Sequence, residues 1–200
     1  KELYLASSSE VYQTPNKIPT DEHETLKIPN IYNPRYSYGG GKILTELMGI
    51  HYGEKFFKKL VIFRPHNVYG PNMGYEHVIP QFIRRLKKLR NKKFEIQGTG
   101  NETRSFIFID DFISAFDLLL RKGKHLNIYN VGTEEIIKIS KLAHLISKFF
   151  NKKIILIKKQ IAKGSTKKRC PSTIKIKKLG FKIKYNLYSG LSKTIDWYAK

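Results

Sequence analysis

The 200-residue sequence predicts an α/β fold. Two features predict it. Short apolar runs, Leu3-Tyr4-Leu5 and Leu60-Val61-Ile62-Phe63, read as strands buried on both faces. Longer segments between and after them repeat apolar residues every three to four positions, as helices packed on a sheet do. The stretch around which the rest is organised is Tyr36-Ser37-Tyr38-Gly39-Gly40-Gly41-Lys42. Tyr38 and Lys42 are four apart, so on a helix they share one face. A phenol is a poor base at neutral pH, and an ammonium one turn away favours the phenolate. Three successive glycines cost a helix roughly 1 kcal/mol each relative to alanine, which implies a close approach to the backbone here. A chance match stays open, because Tyr-x-x-x-Lys is common.

In chain order, residues 1–7 read as a strand and Ser8–Tyr12 as its polar exit. Residues 13–34 read as a loop punctuated by Pro15, Pro19, Pro29 and Pro34. A helix is expected from Ser37 to Phe57. Its apolar positions cover more than one stripe, suiting contact with the sheet and with a partner subunit. A strand follows at 60–64. Residues 71–93 look helical, with Ile79, Phe82, Ile83 and Leu86 in register. Phe94–Gln97 reads as a strand before the turn Gly98-Thr99-Gly100, and Arg104–Ile109 alternates. Asp110 or Asp111 is expected to cap a helix over 112–120. Leu126–Val131 and Ile154–Ile157 read as strands. Leu142, Leu145, Ile146 and Phe149 mark one more helix, and Leu191, Ile195 and Tyr198 the last.

The net charge is +22, and from Lys141 to Lys200 there are seventeen Lys/Arg and a single acid, Asp196. Such a surface could attract nucleic acid or an anionic membrane. The basic residues alternate with apolar ones along ordinary helix and strand patterns, and no nucleic-acid-binding signature accompanies them. No specific nucleic-acid partner is expected, therefore, and no membrane partner, since no apolar run reaches the ~18 residues a span needs. One cysteine, Cys170, excludes an internal disulfide framework and suits a cytoplasmic protein. No metal-ligand spacing is present.

The order strand, Ser7-Ser8-Ser9-Glu10-Val11-Tyr12, Tyr38-x-x-x-Lys42, strand, Arg64-Pro65-His66-Asn67-Val68-Tyr69-Gly70-Pro71 resembles the extended short-chain dehydrogenase/reductases. Within them it looks most like the NAD-dependent nucleotide-sugar epimerase/dehydratase family. The resemblance implies the carboxyl-terminal part of a Rossmann-type parallel sheet with a small α/β substrate-binding cap. Residues 1–70 and 106–133 would belong to the NAD-binding domain, and 71–105 and 134–200 to the cap. A glycine-rich phosphate-binding turn is missing: Gly98-Thr99-Gly100 lacks a third glycine at Thr103 and a surrounding βαβ unit. In the family that turn precedes the strand that opens this sequence, so a carboxyl-terminal portion of a longer enzyme is expected. NAD is the implied cofactor and a nucleotide-diphospho-sugar the implied substrate. A homodimer through the Ser37–Phe57 helix is also implied.

By the same resemblance Tyr38 is the proton-transferring base, and Lys42 binds the nicotinamide ribose. Ser8 bonds the same sugar oxygen as Tyr38, and all three touch the cofactor. His66 would lie against the nicotinamide. Ser9 would face the sugar, Asn67 and Arg104 the diphosphate, and His77, Val78 and Gln97 the nucleotide. Arg169 opens a carboxyl-terminal substrate-binding signature. Glu10, a further catalytic candidate, leaves the subclass open: dehydratases pair Asp with Glu here, decarboxylases carry the Ser-Glu that this sequence shares, and 4-epimerases often have small or hydroxyl residues, with Glu also seen. The Arg64–Pro71 segment looks more like the epimerase branch. Epimerase is the expectation, with dehydratase or uronate decarboxylase as alternatives, and an inactive fragment or a basic anion- or nucleic-acid-binding protein behind them. Three departures bear on nucleotide specificity and activity: Gln13 replaces a common glycine, Ser172 a usual aspartate, and Lys163-Gly164-Ser165-Thr166 an arginine-containing turn.

Overall fold

The computed structural model describes residues 1–161 and 164–199. Three parallel strands form the main sheet, in the order β1 (Glu2–Ala6), β2 (Lys59–Pro65) and β7 (Asn127–Val131). Helix α1 (Ser37–Phe56) carries the chain from β1 to β2, and α3 (Ile109–Lys122) lies on the path from β2 to β7. Parallel neighbours need such crossovers. Around this sheet stand three two-stranded pairings. They are β3 (Val68–Tyr69) with β6 (Ile107–Phe108), β4 (Lys93–Gln97) with β9 (Ile155–Lys159), and antiparallel β5 (Thr103–Ser105) with β8 (Ile136–Lys138). Helices α2 (Val78–Lys88), α4 (Ile139–Phe149), α5 (Ile174–Lys177) and α6 (Leu187–Ala199) complete the chain. Among the described residues no helix is long and apolar enough to cross a membrane.

Two hydrophobic cores result. One packs Val61 and Phe63 of β2 against Ala115 and Leu119 of α3 and Tyr129 of β7. The other packs Ile79, Phe82 and Ile83 of α2 against Phe94 and Ile96 of β4, Leu142 and Ile146 of α4, and Leu191 and Ile195 of α6.

Several expectations need correction. The helix expected within 71–93 is only Val78–Lys88, because Asn72 takes a left-handed φ of 58° and the chain turns through Gly74 first. Neither Asp110 nor Asp111 caps α3, whose N-cap is Phe108 without a side-chain bond. Asp111 instead accepts from the Lys184 and Tyr185 amides, both at 3.0 Å, pinning the approach to α6. The alternating 104–109 stretch splits into β5 and β6, which belong to different pairings.

Helix α1 reverses the usual pattern. Its buried residues are Gly39, Glu46 and Gly53, spaced by seven. Its large apolar side chains face outward, Phe56 being 70% exposed. The glycines let the helix lie close against its neighbours. A Cβ on Gly53 would sit 2.2 Å from Leu60 Cδ1, and one on Gly39 would sit 2.9 Å from the Glu10 carbonyl. Nothing lies within 4 Å of a Cβ placed on Gly41.

Between the two glycines a buried polar network fastens α1 to the sheet. The Arg64 guanidinium grips both carboxylate oxygens of Glu46 at 2.8 and 2.6 Å. It also donates to the Tyr12 hydroxyl at 2.7 Å and the Glu22 carbonyl at 3.2 Å. Ser7 Oγ donates to Glu46. Tyr12 in turn donates to Asn130 Oδ1 at 2.8 Å, and burial holds its phenol neutral by pushing its pKa up to about 12.

Glycine-to-alanine changes along α1 should therefore have opposite signs. Gly53→Ala should destabilise by about 1–3 kcal/mol through overpacking, despite alanine's better helix propensity. Gly41→Ala should stabilise by up to about 1 kcal/mol. Urea unfolding midpoints check both, and the same sign at the two positions would contradict this packing.

Candidate active site at the strand ends

The carboxyl ends of parallel strands are where an open α/β sheet offers a crevice, and the site lies there. After β1 the chain extends through Ser8 and enters a single 3-10 turn, Ser9–Tyr12. Ser8 Oγ caps that turn by accepting from the Glu10 amide at 3.1 Å, which leaves its own O–H free to donate. The turn closes on Gly39, the close approach that the glycine run implies. Tyr38 in the first turn of α1 thereby faces the same cleft as Ser8. The cleft measures about 560 Å³ and is lined also by Ser9, Glu10, Arg35, Asn67 and His77. Lys42 Nζ donates to the Ala6 carbonyl at 2.8 Å and stands 5.8 Å from the centre of the Tyr38 ring. The Tyr38–Lys42 pair thus meets on one helix face beside the Ser8 hydroxyl.

A second lobe of about 290 Å³ adjoins the first and shares Arg35 and Asn67 with it. Val78, Gln97 and Arg104 line it. Asn67 takes a left-handed φ of 43°, and its Nδ2 donates to the Ser105 carbonyl at 2.8 Å. Arg104 donates to the carbonyls of Thr103 and Thr166 at 2.8 and 2.9 Å. Burial, helped by the charge of Arg169, pushes its pKa down to about 10.

Arg169 is buried and paired bidentately with Glu10, and it also donates to Thr166 Oγ1 at 3.1 Å. Burial raises the Glu10 carboxyl. The hydrogen bond and charge of Arg169, with the charges of Arg35 and Arg104, outweigh that and hold Glu10 below the usual carboxylate range. Glu10 is thus an ionised group with its charge already matched.

His66 does not line the cleft. It is 1% exposed, under the cleft floor, with Nε2 3.1 Å from Asn130 Oδ1. That oxygen also accepts from Tyr12, while the Asn130 amide donates to the Thr20 carbonyl at 3.0 Å, so Nε2 carries the proton and Nδ1 is bare. Burial first, then the charges of Arg169 and Arg64, lower its pKa to about 3 against the Asn130 bond, and the ring stays neutral. Through Asn130 the ring links the end of β2 to β7.

The departures also find physical accounts. Gln13 holds the left-handed φ of 51° that a glycine would adopt without strain, and its Nε2 donates to the Glu10 carbonyl at 2.7 Å. Its own carbonyl accepts from Thr166 Oγ1 at 3.0 Å. Ser172 binds through its backbone, donating to the Thr20 carbonyl at 2.7 Å. Lys163 lies outside the described residues. Gly164, at φ +87°, comes so close to Tyr36 that a Cβ would meet the phenol oxygen at 2.5 Å. Arg35, shared by both lobes, was missed by the sequence reading. Its signal is the Asn33-Pro34 pair before it: Asn33 Oδ1 accepts from the Arg35 amide at 3.0 Å and fixes that backbone.

With this geometry in place, residues 1–132 match the model of the NAD dependent epimerase/dehydratase family. The dTDP-D-glucose 4,6-dehydratase of Dictyostelium discoideum is 37% identical over 139 residues, covering 67% of this chain and 32% of that protein. A trifunctional UDP-glucose 4,6-dehydratase, epimerase and reductase of Arabidopsis thaliana is 31% identical over 199 residues, covering 97% of this chain and 29% of that one. Among solved structures, the UDP-glucose 4-epimerase of Thermotoga maritima with UDP-glucose superimposes with a TM-score of 0.87 at 25% identity, over 100% of this chain and 63% of that one. The chain spans about a third of the length of these two curated relatives. With two thirds of its length under that family model and the Ser8, Tyr38 and Lys42 constellation at its strand ends, the chain belongs to the NAD dependent epimerase/dehydratase family.

Proposed function

We propose that the chain forms the substrate-binding and proton-transfer part of a nucleotide-sugar epimerase. The observation that carries this reading is the convergence of Ser8, Tyr38 and Lys42 at the end of β1. Tyr38 takes the proton from a sugar hydroxyl and later returns it. Ser8, with its O–H uncommitted, donates to the same oxygen. Lys42, anchored on Ala6, binds the nicotinamide ribose and supports the phenolate. These donors fit the nicotinamide-ribose end of NAD, while no glycine turn for its pyrophosphate occurs in the sequence. NAD, when bound, accepts and returns the hydride. Inversion of the oxidised carbon then needs only that the sugar turn over between the two transfers.

Elimination of water makes a further demand, an acid to protonate the departing hydroxyl. Position 9 offers a serine hydroxyl, and Glu10 is held ionised by Arg169. That favours epimerisation over dehydration. Uronate decarboxylation keeps one observation of its own: the Ser9-Glu10 pair at the end of β1, with Glu10 lining the sugar lobe and paired to Arg169.

We also propose a homodimer through the outward face of α1, where Leu44, Met48, Tyr52 and Phe56 adjoin Leu3 and Leu5 in an apolar groove of about 420 Å³. An isologous contact there should be lost on Met48→Glu. Sizing with light scattering should show a dimer becoming a monomer, and a wild-type monomer at micromolar concentration would contradict the proposal.

The catalytic roles can be tested by placing this chain behind the NAD-binding half of a family relative such as the Thermotoga maritima epimerase. Tyr38→Phe should lower turnover of UDP-glucose about 10²- to 10⁴-fold while the fold is kept. Glu10→Gln should retain most epimerisation. A Glu10→Gln protein that stalls after oxidation and accumulates NADH would instead point to elimination or decarboxylation. Undiminished turnover in Tyr38→Phe would overturn the whole assignment.

A further inference from the structure

Two guanidinium groups line the lobes and a third, Arg169, is paired with Glu10 beside them; the three are not equivalent. Arg169 is cancelled by Glu10. Arg104 gives one N–H of each terminal nitrogen to the Thr103 and Thr166 carbonyls, which leaves N–H groups for a ligand, and it lines only the second lobe. Arg35 lines both lobes, and among the described residues its guanidinium has neither a hydrogen-bond acceptor nor an ion-pair partner. Its backbone is nevertheless held. Pro34 and the Asn33 side chain fix a 3-10 turn, and the Arg35 stem lies beside Gly164. Glu102, in the second lobe, turns its carboxylate onto the Thr99 and Gly100 amides at 3.0 and 2.9 Å. Glu76 stands where that lobe opens into an outer groove. The junction between the lobes therefore presents one uncommitted guanidinium on a held backbone.

We propose that Arg35 is the specificity-determining residue for a diphosphate, taking the sugar-side phosphoryl group while Arg104 takes the nucleoside-side one. This rests on the nucleotide-sugar reading above. A sugar beside Ser8 and Tyr38 and a nucleoside beside Val78 and Gln97 place the diphosphate across the junction that Arg35 occupies. A nucleotide sugar brings two negative charges, and Arg35 and Arg104 are the two cations left once Glu10 has neutralised Arg169. A planar guanidinium binds phosphate oxygens in pairs, which a lysine ammonium does not do.

The test is calorimetric titration of the 200-residue chain with UDP, UMP, dTDP and UDP-glucuronate. Arg35→Gln should weaken UDP binding roughly tenfold to a hundredfold, as loss of a charge-assisted bond does, and should leave UMP binding within about twofold. Arg104→Gln should weaken both. Arg35→Lys should restore only part of the UDP affinity. Unchanged unfolding midpoints would show that exposed Arg35 is replaced without loss of fold. Equal weakening of UDP and UMP by Arg35→Gln, or no weakening of UDP, would overturn the proposal and leave the nucleotide-sugar reading intact. A loss confined to UDP-glucuronate would also overturn it and assign Arg35 to a sugar carboxylate. A wild-type chain that binds neither UDP nor dTDP would overturn the underlying reading as well.

Discussion

The ion pair between Arg64 and Glu46 is the constraint on which the site depends. Burying two charges is costly, and leaving one of them without the other costs more, about 3–5 kcal/mol. Here both are buried, and the pair is bidentate. Arg64 ends β2, Glu46 sits mid-way along α1, and Ser7 and Tyr12 join from either end of the β1 exit. One cluster thus registers two strands, a helix and a turn against one another. Lys42 and Tyr38 lie one and two turns before Glu46, so the pair sets where their side chains emerge. Gly39 and Gly53, seven residues to either side, allow the approach that makes the pair possible. In this helix close backbone packing has taken the place of an apolar stripe.

A second electrostatic arrangement governs the cleft. The net charge of +22 is carried mainly by lysines, yet the cations that border the two lobes are arginines, whose forks suit phosphate. Arg169 spends its charge on Glu10, which removes both a phosphate ligand and a proton donor from the sugar lobe. What remains open there is hydroxyl chemistry at Ser8, Ser9 and Tyr38. That balance keeps Glu10 ionised and paired. It follows from ion pairing across 159 residues of chain, a contact no local motif reveals.

Much of this was legible beforehand, and the gaps have particular causes. The apolar runs marked β1 and β2: β2 is buried as a parallel strand without alternation is expected to be, whereas β1 is only half-buried, at the edge of the three-stranded sheet. The Tyr38–Lys42 spacing and the glycine run together announced the first turn of α1 and its close neighbour. The cap at Asp111 was misjudged because a capping residue type also suits other amide donors, and here the Lys184 and Tyr185 amides win. The burial of His66 on the Asn130 side chain of β7 is a contact across 64 residues that its local motif does not announce. Arg35 was missed because its importance comes from what its guanidinium lacks, which is a property of the packed chain. The short strands β3 and β8 left too few residues for periodicity to speak.

A double-mutant cycle between Glu46 and Arg64 tests the central claim most directly. Unfolding free energies of wild type, Glu46→Ala, Arg64→Ala and the double variant would be measured by urea titration. If the pair holds α1 to the sheet, each single change leaves a buried charge unmatched, and the coupling energy should be on the order of 2–3 kcal/mol, the upper part of the range for residues sharing one network. A coupling near zero would mean that α1, and with it Tyr38 and Lys42, is positioned by something other than this ion pair.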